Sequence, residues 1–382
     1  MLALTGSLKR RLSDAYLAGS AEFTHRAIRG RFGNRDFRRV IIVSALGRRT
    51  GIASGARLQW EALRQLGMDA ELLDATRALH NPLFRIPHRP GSAYIFHAGG
   101  PQTASLIGSV LPHGAEAYRV AYWAWELPDP PAEWMGCDRA IDEIWTPSAF
   151  SKASLTKLTN RPIHVVPHRV RPAPARSRRN DAPFTVLAMA DSRSSLSRKN
   201  PEGALYAFRK AFGASRGARL VLKLSGRQDT FPPSLAKRAS GGNIETIRTH
   251  LDDAALTKLY QRADVFLSLH RAEGFGLPML EAMSHGVPVV ATDWSGNREF
   301  MDPSNSHLVP CRLVPVNDAS AIYAGSVWAE PDLDAAAHGL RRLAEDAEYY
   351  ARLAAAAHRR AVTWVSRFPF AISNTSSMAS PP

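Results

Sequence analysis

Two carboxylates eight positions apart bracket the stretch Glu273-Gly-Phe-Gly-Leu-Pro-Met-Leu-Glu281 of this 382-residue chain. Glu273 lies in a Gly-rich loop after an apolar run, and Glu281 lies in the first turns of the helix that the following residues predict. A helix start presents unpaired backbone N–H groups and the positive end of a dipole, a natural seat for a diphosphate. Gly274 and Gly276, flanking Phe275 and preceding Leu277, let the backbone approach a ligand closely. The two carboxylates are acceptors for sugar hydroxyls, one for a ribose and one for a second sugar. The plainer alternative is a strand-to-helix turn carrying incidental acids.

The elements around this stretch must place it at the end of a sheet. Val265–Ser268 reads as a buried strand, Gly276–His285 as a helix closed by Gly286, and Val287–Ala291 as the next strand. Upstream, Phe184–Ala188 and Arg219–Lys223 are strands and Pro201–Phe212 is a helix with Pro near its start. The first half repeats the scheme. Arg39-Val-Ile-Ile-Val-Ser44 is a β-branched run followed by Gly47, Gly51 and apolar residues at helical spacing from Ala56 to Leu66. Ala93–Phe96, ending at His97, Tyr118–Tyr122, Glu143–Thr146 and Ile163–Val166 are further strands, and Pro147-Ser148 is a helix start. This alternation predicts an α/β fold built from parallel sheets. Leu333–Val362 reads as strongly helical.

Lys and Arg number 49 against 34 Asp and Glu, a formal net charge of +15. Residues 1–40 hold nine Lys or Arg and three Asp or Glu, and a second basic cluster runs from Arg169 to Arg179. Such surfaces either stay solvated or attract anionic lipid and phosphorylated ligands. There is no aromatic-interleaved basic motif, so nucleic acid is not expected as a partner. The two cysteines, Cys137 and Cys311, do not suggest a disulfide framework, and no apolar run is long enough to suggest a membrane span. A cytoplasmic location follows, with peripheral contact on the inner membrane face as a further expectation. Asp332-Leu-Asp334 has the form of a metal-binding pair, but it opens a helix after Pro331 and reads as capping.

Ser268-Leu-His-Arg-Ala-Glu-Gly-Phe-Gly-Leu-Pro, continued by Glu281-Ala-Met-Ser-His-Gly-Val-Pro-Val-Val-Ala-Thr292, resembles the donor-site signature of retaining glycosyltransferase family 4. The likeness extends more loosely over about 41–345. It implies the GT-B fold, two Rossmann-like domains facing each other across a deep cleft. It also implies donor-diphosphate cations at Arg193 and Lys199, which stand six residues apart in Asp191-Ser-Arg193 and Arg198-Lys199-Asn-Pro201. Fixed cations of this kind stabilise charge on a departing diphosphate, and Arg198 could share the role. Gly51 resembles the family's glycine loop, which faces the diphosphate across the cleft. Many members carry a His just after the strand corresponding to Tyr118–Tyr122. Here Trp123-Ala-Trp-Glu126 follows instead, so Glu126 is the nearest polar candidate and His97 the alternative.

The resemblance implies transfer of a hexose from a nucleoside diphosphate sugar to an acceptor hydroxyl of a glycan, polysaccharide or lipid-linked sugar, with retention. No metal or other cofactor is expected. A catalytically inactive sugar-nucleotide-binding protein and a sugar-nucleotide epimerase are the alternatives on the same scaffold. The expected organisation is a basic N-terminal arm over 1–40, an acceptor domain over 41–170 and a linker over 171–183. A donor domain over 184–345, a C-terminal helix over 346–366 and a disordered tail over 367–382 complete it.

Overall fold

The computed structural model describes residues 37–369 except 49, 80, 82, 83, 112–115, 177, 179, 180, 227–230, 319, 320 and 365–367, together with 19, 22, 24, 26 and 33. Lys9-Arg10-Arg11 and most of the expected arm and tail lie outside these.

A run that is apolar on both faces of its pleat must be covered from both sides. β1 (Arg39–Ser44) meets that demand, with Val40, Ile41, Ile42 and Val43 fully buried. Around it lie β2 (Asp69–Asp74), β3 (Ser92–His97), β4 (Tyr118–Tyr122), β5 (Glu143–Thr146) and β6 (Ile163–Val165). Their order is β2-β1-β3-β4-β5-β6, all parallel. Helices α1 (Gly51–Gln65), α2 (Gly100–Val110) and α3 (Ala149–Leu155) connect them. The helix expected from Ala56 starts five residues earlier, because Thr50 caps it by accepting from the Ala53 N–H.

The second sheet contains β7 (Phe184–Asp191), β8 (Ala218–Ser225), β9 (Ile244–Ile247), β10 (Val265–Ser268), β11 (Val289–Thr292) and β12 (His307–Val309). Their order is β12-β11-β10-β7-β8-β9, again all parallel. Its helices are α4 (Leu196–Lys199), α5 (Pro201–Phe212), α6 (Pro233–Arg238), α7 (Asp253–Arg262) and α8 (Leu277–Ser284). The expected pair of doubly wound, Rossmann-like sheets is therefore present. An antiparallel hairpin follows, β13 (Cys311–Pro315) and β14 (Val327–Pro331), which the sequence reading did not anticipate.

The long C-terminal helix expected over Leu333–Val362 is two helices, α9 (Leu333–Glu345) and α10 (Ala347–Thr363). Asp346 sits between them with an extended backbone and caps the second by accepting from Tyr349 N–H at 2.8 Å. Asp332 caps α9, accepting from the N–H groups of Asp334 and Ala335 at 3.0 and 2.9 Å. Phe368, inside the stretch expected to be disordered, packs on Trp145 of the first sheet with ring centroids 5.7 Å apart.

The linker arginines are held within the protein. Arg171 reaches Glu61 of α1 and Asp253 of α7, so one side chain ties helices of both domains. Arg176 forms a buried pair with Asp264 at 2.8 Å. Removing one partner of such a pair costs about 3–5 kcal/mol, because the other charge stays buried. Arg178 donates to the carbonyl of Ala344 at 2.8 Å and lies over the Tyr350 ring. These contacts occupy that part of the second basic cluster.

Candidate active site

In an open parallel sheet, ligands bind beyond the carboxyl ends of the strands, where the strand order reverses. In the first sheet that crevice lies between β1 and β3, at Ser44 and His97. In the second it lies between β7 and β10, at Asp191 and Ser268. The loops leaving β7 and β10 carry Arg193, Arg198, Lys199 and Glu273, so the topology alone brings these four together.

Local chemistry then fixes them. Ser195 caps the short α4 by accepting from Arg198 N–H at 3.0 Å. Asn200 adopts a left-handed conformation (φ 51°), ends that turn and starts α5. Its side chain accepts from Gly203 N–H and donates to the Leu269 carbonyl at 2.9 Å, pinning the β7 loop to the β10 loop. Arg271 N–H donates to the Arg198 carbonyl at 2.7 Å, which adds a second tie.

The Glu273 carboxylate pairs with the Lys199 ammonium, and Arg198 lies 3.6 Å from its other oxygen. Burial opposes ionisation of Glu273, but Lys199 and Arg198 outweigh it and hold the carboxyl at about 2. Its backbone is clamped by the β11 loop, with the N–H donating to Ser295 Oγ at 2.9 Å and the carbonyl accepting from Gly296 N–H at 2.8 Å. Ser295 pays for this clamp with a positive φ of 77°, a strained backbone for a side-chain-bearing residue. A Cβ at Gly296 would overlap the Gly274 carbonyl, so only glycine fits that approach.

Arg193 grips Asp191 with its fork, Nη2 to Oδ2 at 2.6 Å and Nε to Oδ1 at 3.0 Å. Arg198 lies deeper, 3% exposed. It donates to the Ala272 carbonyl and to Ser194 Oγ, each at 2.7 Å. Both cations expected at the diphosphate, Arg193 and Lys199, thus occupy this crevice, each engaged by a carboxylate. Lys223, from β8, is a cation that the sequence reading did not single out. It is buried against Ser225 Oγ at 2.7 Å, and its burial lowers its proton affinity.

Glu281 sits on α8, apart from this cluster, and accepts from the Tyr260 hydroxyl at 2.7 Å. Burial pushes its carboxyl up to about 7, partly offset by that hydrogen bond. Gly276 takes a left-handed φ of 95° to begin the helix, and Leu277 and Pro278 open its first turn. Phe275 is buried between His168 and Phe300. Gly51 is the exposed first residue of α1, with open space where a side chain would project.

The first domain meets this loop directly. The Gly274 carbonyl accepts from Ser148 Oγ at 2.6 Å and Ser151 Oγ at 3.3 Å, and Ser151 Oγ also donates to the Trp125 carbonyl at 2.6 Å. Glu299 accepts from Ala149 N–H at 2.7 Å, capping α3 from across the domain boundary. Pro147-Ser148 announced a helix start in the sequence, but nothing there showed that its serines would reach the other domain. Glu126 pairs with Arg198 Nη2 at 3.3 Å and so joins the Arg198–Glu273–Lys199 cluster. His97 does not join it. It is 1% exposed, bonded to Gln59 at 2.6 Å and stacked on Tyr122 with centroids 4.3 Å apart. Burial, reinforced by neighbouring His168, holds it well below the usual histidine range and therefore neutral.

A family model described as Glycosyl transferases group 1 matches residues 192–329, the part of the chain that carries this cluster. The GtfA subunit of a UDP-N-acetylglucosamine–peptide N-acetylglucosaminyltransferase from Streptococcus pneumoniae is 36% identical over 96 residues, 25% of this chain and 18% of that protein. The chain spans about a fifth of the length of the curated relatives it matches. Among solved structures, Anabaena HepE in complex with UDP and glucose aligns with a TM-score of 0.57 at 14% identity, covering 85% of this chain and 94% of that one. A Rickettsia africae glycosyltransferase aligns with a TM-score of 0.59 at 13% identity, covering 86% and 94%. With its two doubly wound sheets joined at their carboxyl ends, the chain has the GT-B fold.

Proposed function

We propose that this protein is a retaining glycosyltransferase that moves a hexose from a nucleoside diphosphate sugar to an acceptor hydroxyl. The observation that carries this reading is the meeting of Arg193, Arg198, Lys199 and Glu273 at the carboxyl ends of β7 and β10, with Glu126 arriving from the first domain. The diphosphate takes Lys199 and Arg193 from their carboxylates, with open space at Gly51 and with Gly276 opening the helix that carries Glu281. Glu273, released from Lys199, accepts from donor-sugar hydroxyls and offers negative charge near the oxocarbenium-like carbon. Gly274, Phe275 and Leu277 shape the backbone around the sugar, and Glu281 accepts from the ribose. The bond from the anomeric carbon to the diphosphate oxygen breaks. That oxygen, on the acceptor's side, receives the acceptor hydroxyl's proton as the new glycosidic bond forms. The protein's contribution is then positioning and fixed charge rather than covalent chemistry. Phosphate charge is met by side-chain cations, so the reaction proceeds without a metal ion.

The test is a panel of UDP- and GDP-sugars, scored first by thermal stabilisation of the purified chain. Release of the nucleoside diphosphate with glycan and lipid-linked acceptors is then measured, with and without EDTA. The expected result is one stabilising donor, transfer that survives the chelator and an unchanged anomeric configuration by NMR. Binding without turnover, interconversion of the donor sugar, or activity lost in EDTA and restored by Mg²⁺ would each contradict the reading.

A further inference from the structure

The hairpin β13–β14 follows the second sheet in the chain, yet several apolar side chains of its strands and connecting loop lie in the core of the first domain. Val316, Ile322, Tyr323 and Trp328 pack in one cluster with Trp125 and Trp134. Ser326 Oγ donates to Asp129 Oδ2 at 3.2 Å, a further tie to the first domain. The base of the hairpin is fastened to the second domain. Ala329 N–H donates to the Arg271 carbonyl at 2.9 Å, and the Arg271 fork grips Glu330 at 2.8 and 3.0 Å. Asp318 accepts from Ser195 Oγ, the residue that caps the turn bearing Arg198 and Lys199.

Tyr323 stands where these contacts converge. It is 7% exposed, its ring centroid lies 5.5 Å from that of Trp125, and its hydroxyl lies beside the Arg198 guanidinium. Arg198 carries its charge in an almost fully buried place, and its Nε donor has no acceptor among the described residues. A buried guanidinium depends on every acceptor it has. One of these, Glu126, comes from the first domain and stands one residue from Trp125, which carries the Tyr323 ring.

We infer that Tyr323 is a positioning residue: with its ring on Trp125 and its hydroxyl on Arg198, the hairpin holds Arg198 and Glu126 in register across the two domains. The inference rests on reading this crevice as the donor site. Tyr323 itself touches neither donor nor acceptor. It acts through Arg198 on the placement of Glu273 and Lys199.

The full chain is compared with Tyr323→Phe and Tyr323→Ala. Phe keeps the ring on Trp125 and removes the hydroxyl, whereas Ala removes both. In Tyr323→Phe, amide hydrogen exchange over 192–199 should quicken at least about fivefold, with exchange elsewhere and the melting temperature unchanged. With whichever of UDP-glucose, UDP-N-acetylglucosamine or GDP-mannose serves as donor, kcat should fall about tenfold and donor KM stay within about twofold. Tyr323→Ala should show the same loss of kcat together with a lower melting temperature. Wild-type exchange over 192–199 in Tyr323→Phe, or wild-type kcat, would overturn the inference. If the wild-type chain turns over no nucleotide sugar, the donor-site reading fails by itself, and the exchange measurement still decides whether Tyr323 positions the loop.

Discussion

Replacing Glu281 by Gln should stabilise the protein in mild alkali while weakening its hold on a nucleoside diphosphate. The Glu281 carboxyl is partly enclosed beside Tyr260 and stays protonated up to about 7, against an ordinary 4.5. Its ionised form is therefore disfavoured in the folded state by up to about 3 kcal/mol, and by about 1–3 kcal/mol once the partial exposure of the side chain is allowed for. The sign follows from proton binding. Between 4.5 and 7 the folded chain holds a proton there that the unfolded chain has lost, so stability from this group falls as pH rises through that window. Gln removes the dependence. Denaturant unfolding at pH 4 should give nearly equal stabilities, and at pH 8.5 Glu281→Gln should be the more stable by about 1–3 kcal/mol. A ribose hydroxyl donating to the carboxylate favours the ionised form, so wild-type affinity for UDP or GDP should rise from pH 6 to 8. Calorimetry of Glu281→Gln should show lower affinity at pH 8 and little pH dependence. Wild-type affinity that is flat over that range, together with equal stabilities at pH 8.5, would mean that Glu281 is neither held protonated in the fold nor the acceptor of a ribose hydroxyl.

Glu273 has the opposite sign. Held at about 2 by Lys199 and Arg198 against the cost of burial, it contributes stability present above 4.5 and lost as pH falls toward 2. Glu273→Gln should lose roughly 3 kcal/mol at pH 7 by leaving Lys199 without its carboxylate, and its acid limb should be shallower; an unchanged unfolding curve from pH 3 to 7 would show that the pair contributes nothing. Glu126→Gln should keep the fold and lower kcat at least about tenfold, because it weakens the hold on Arg198 at the proposed donor site. A fully active Glu126→Gln beside a folded but inactive His97→Ala would move the catalytic assignment to His97.

The half of the cluster contributed by the second domain was legible because its signals are local. An apolar strand, a Gly-rich turn and Pro at a helix start fix β10 and α8 within a residue or two, whereas the pairing of β7 with β10 is visible only in the folded sheet. The partners that carboxylates and cations find across long separations were not legible. The Arg193–Lys199 spacing put both cations in one crevice, but it could not show that Asp191 and Glu273 would each neutralise one of them. The arginines of the expected linker read as a surface either solvated or anion-attracting, because Glu61, Asp253 and Asp264 are distant in sequence and near only after folding. His97 follows its strand as a cleft residue would, yet Gln59 and the Tyr122 ring hold it inside the domain. The hairpin escaped notice for a related reason. Cys311–Pro315 and Val327–Pro331 are short and Pro-ended, and what stabilises them is the core of the other domain.

If the crevice between β7 and β10 is the donor site, Lys199 meets a nucleoside diphosphate there. Titration calorimetry of the full chain and of Lys199→Ala with UDP and GDP checks this contact. One nucleotide should bind the wild-type chain, and Lys199→Ala should bind it roughly 10- to 100-fold more weakly, the loss of one charge-assisted contact. Affinity unchanged in Lys199→Ala, or no binding of either nucleotide to the wild-type chain, would contradict it.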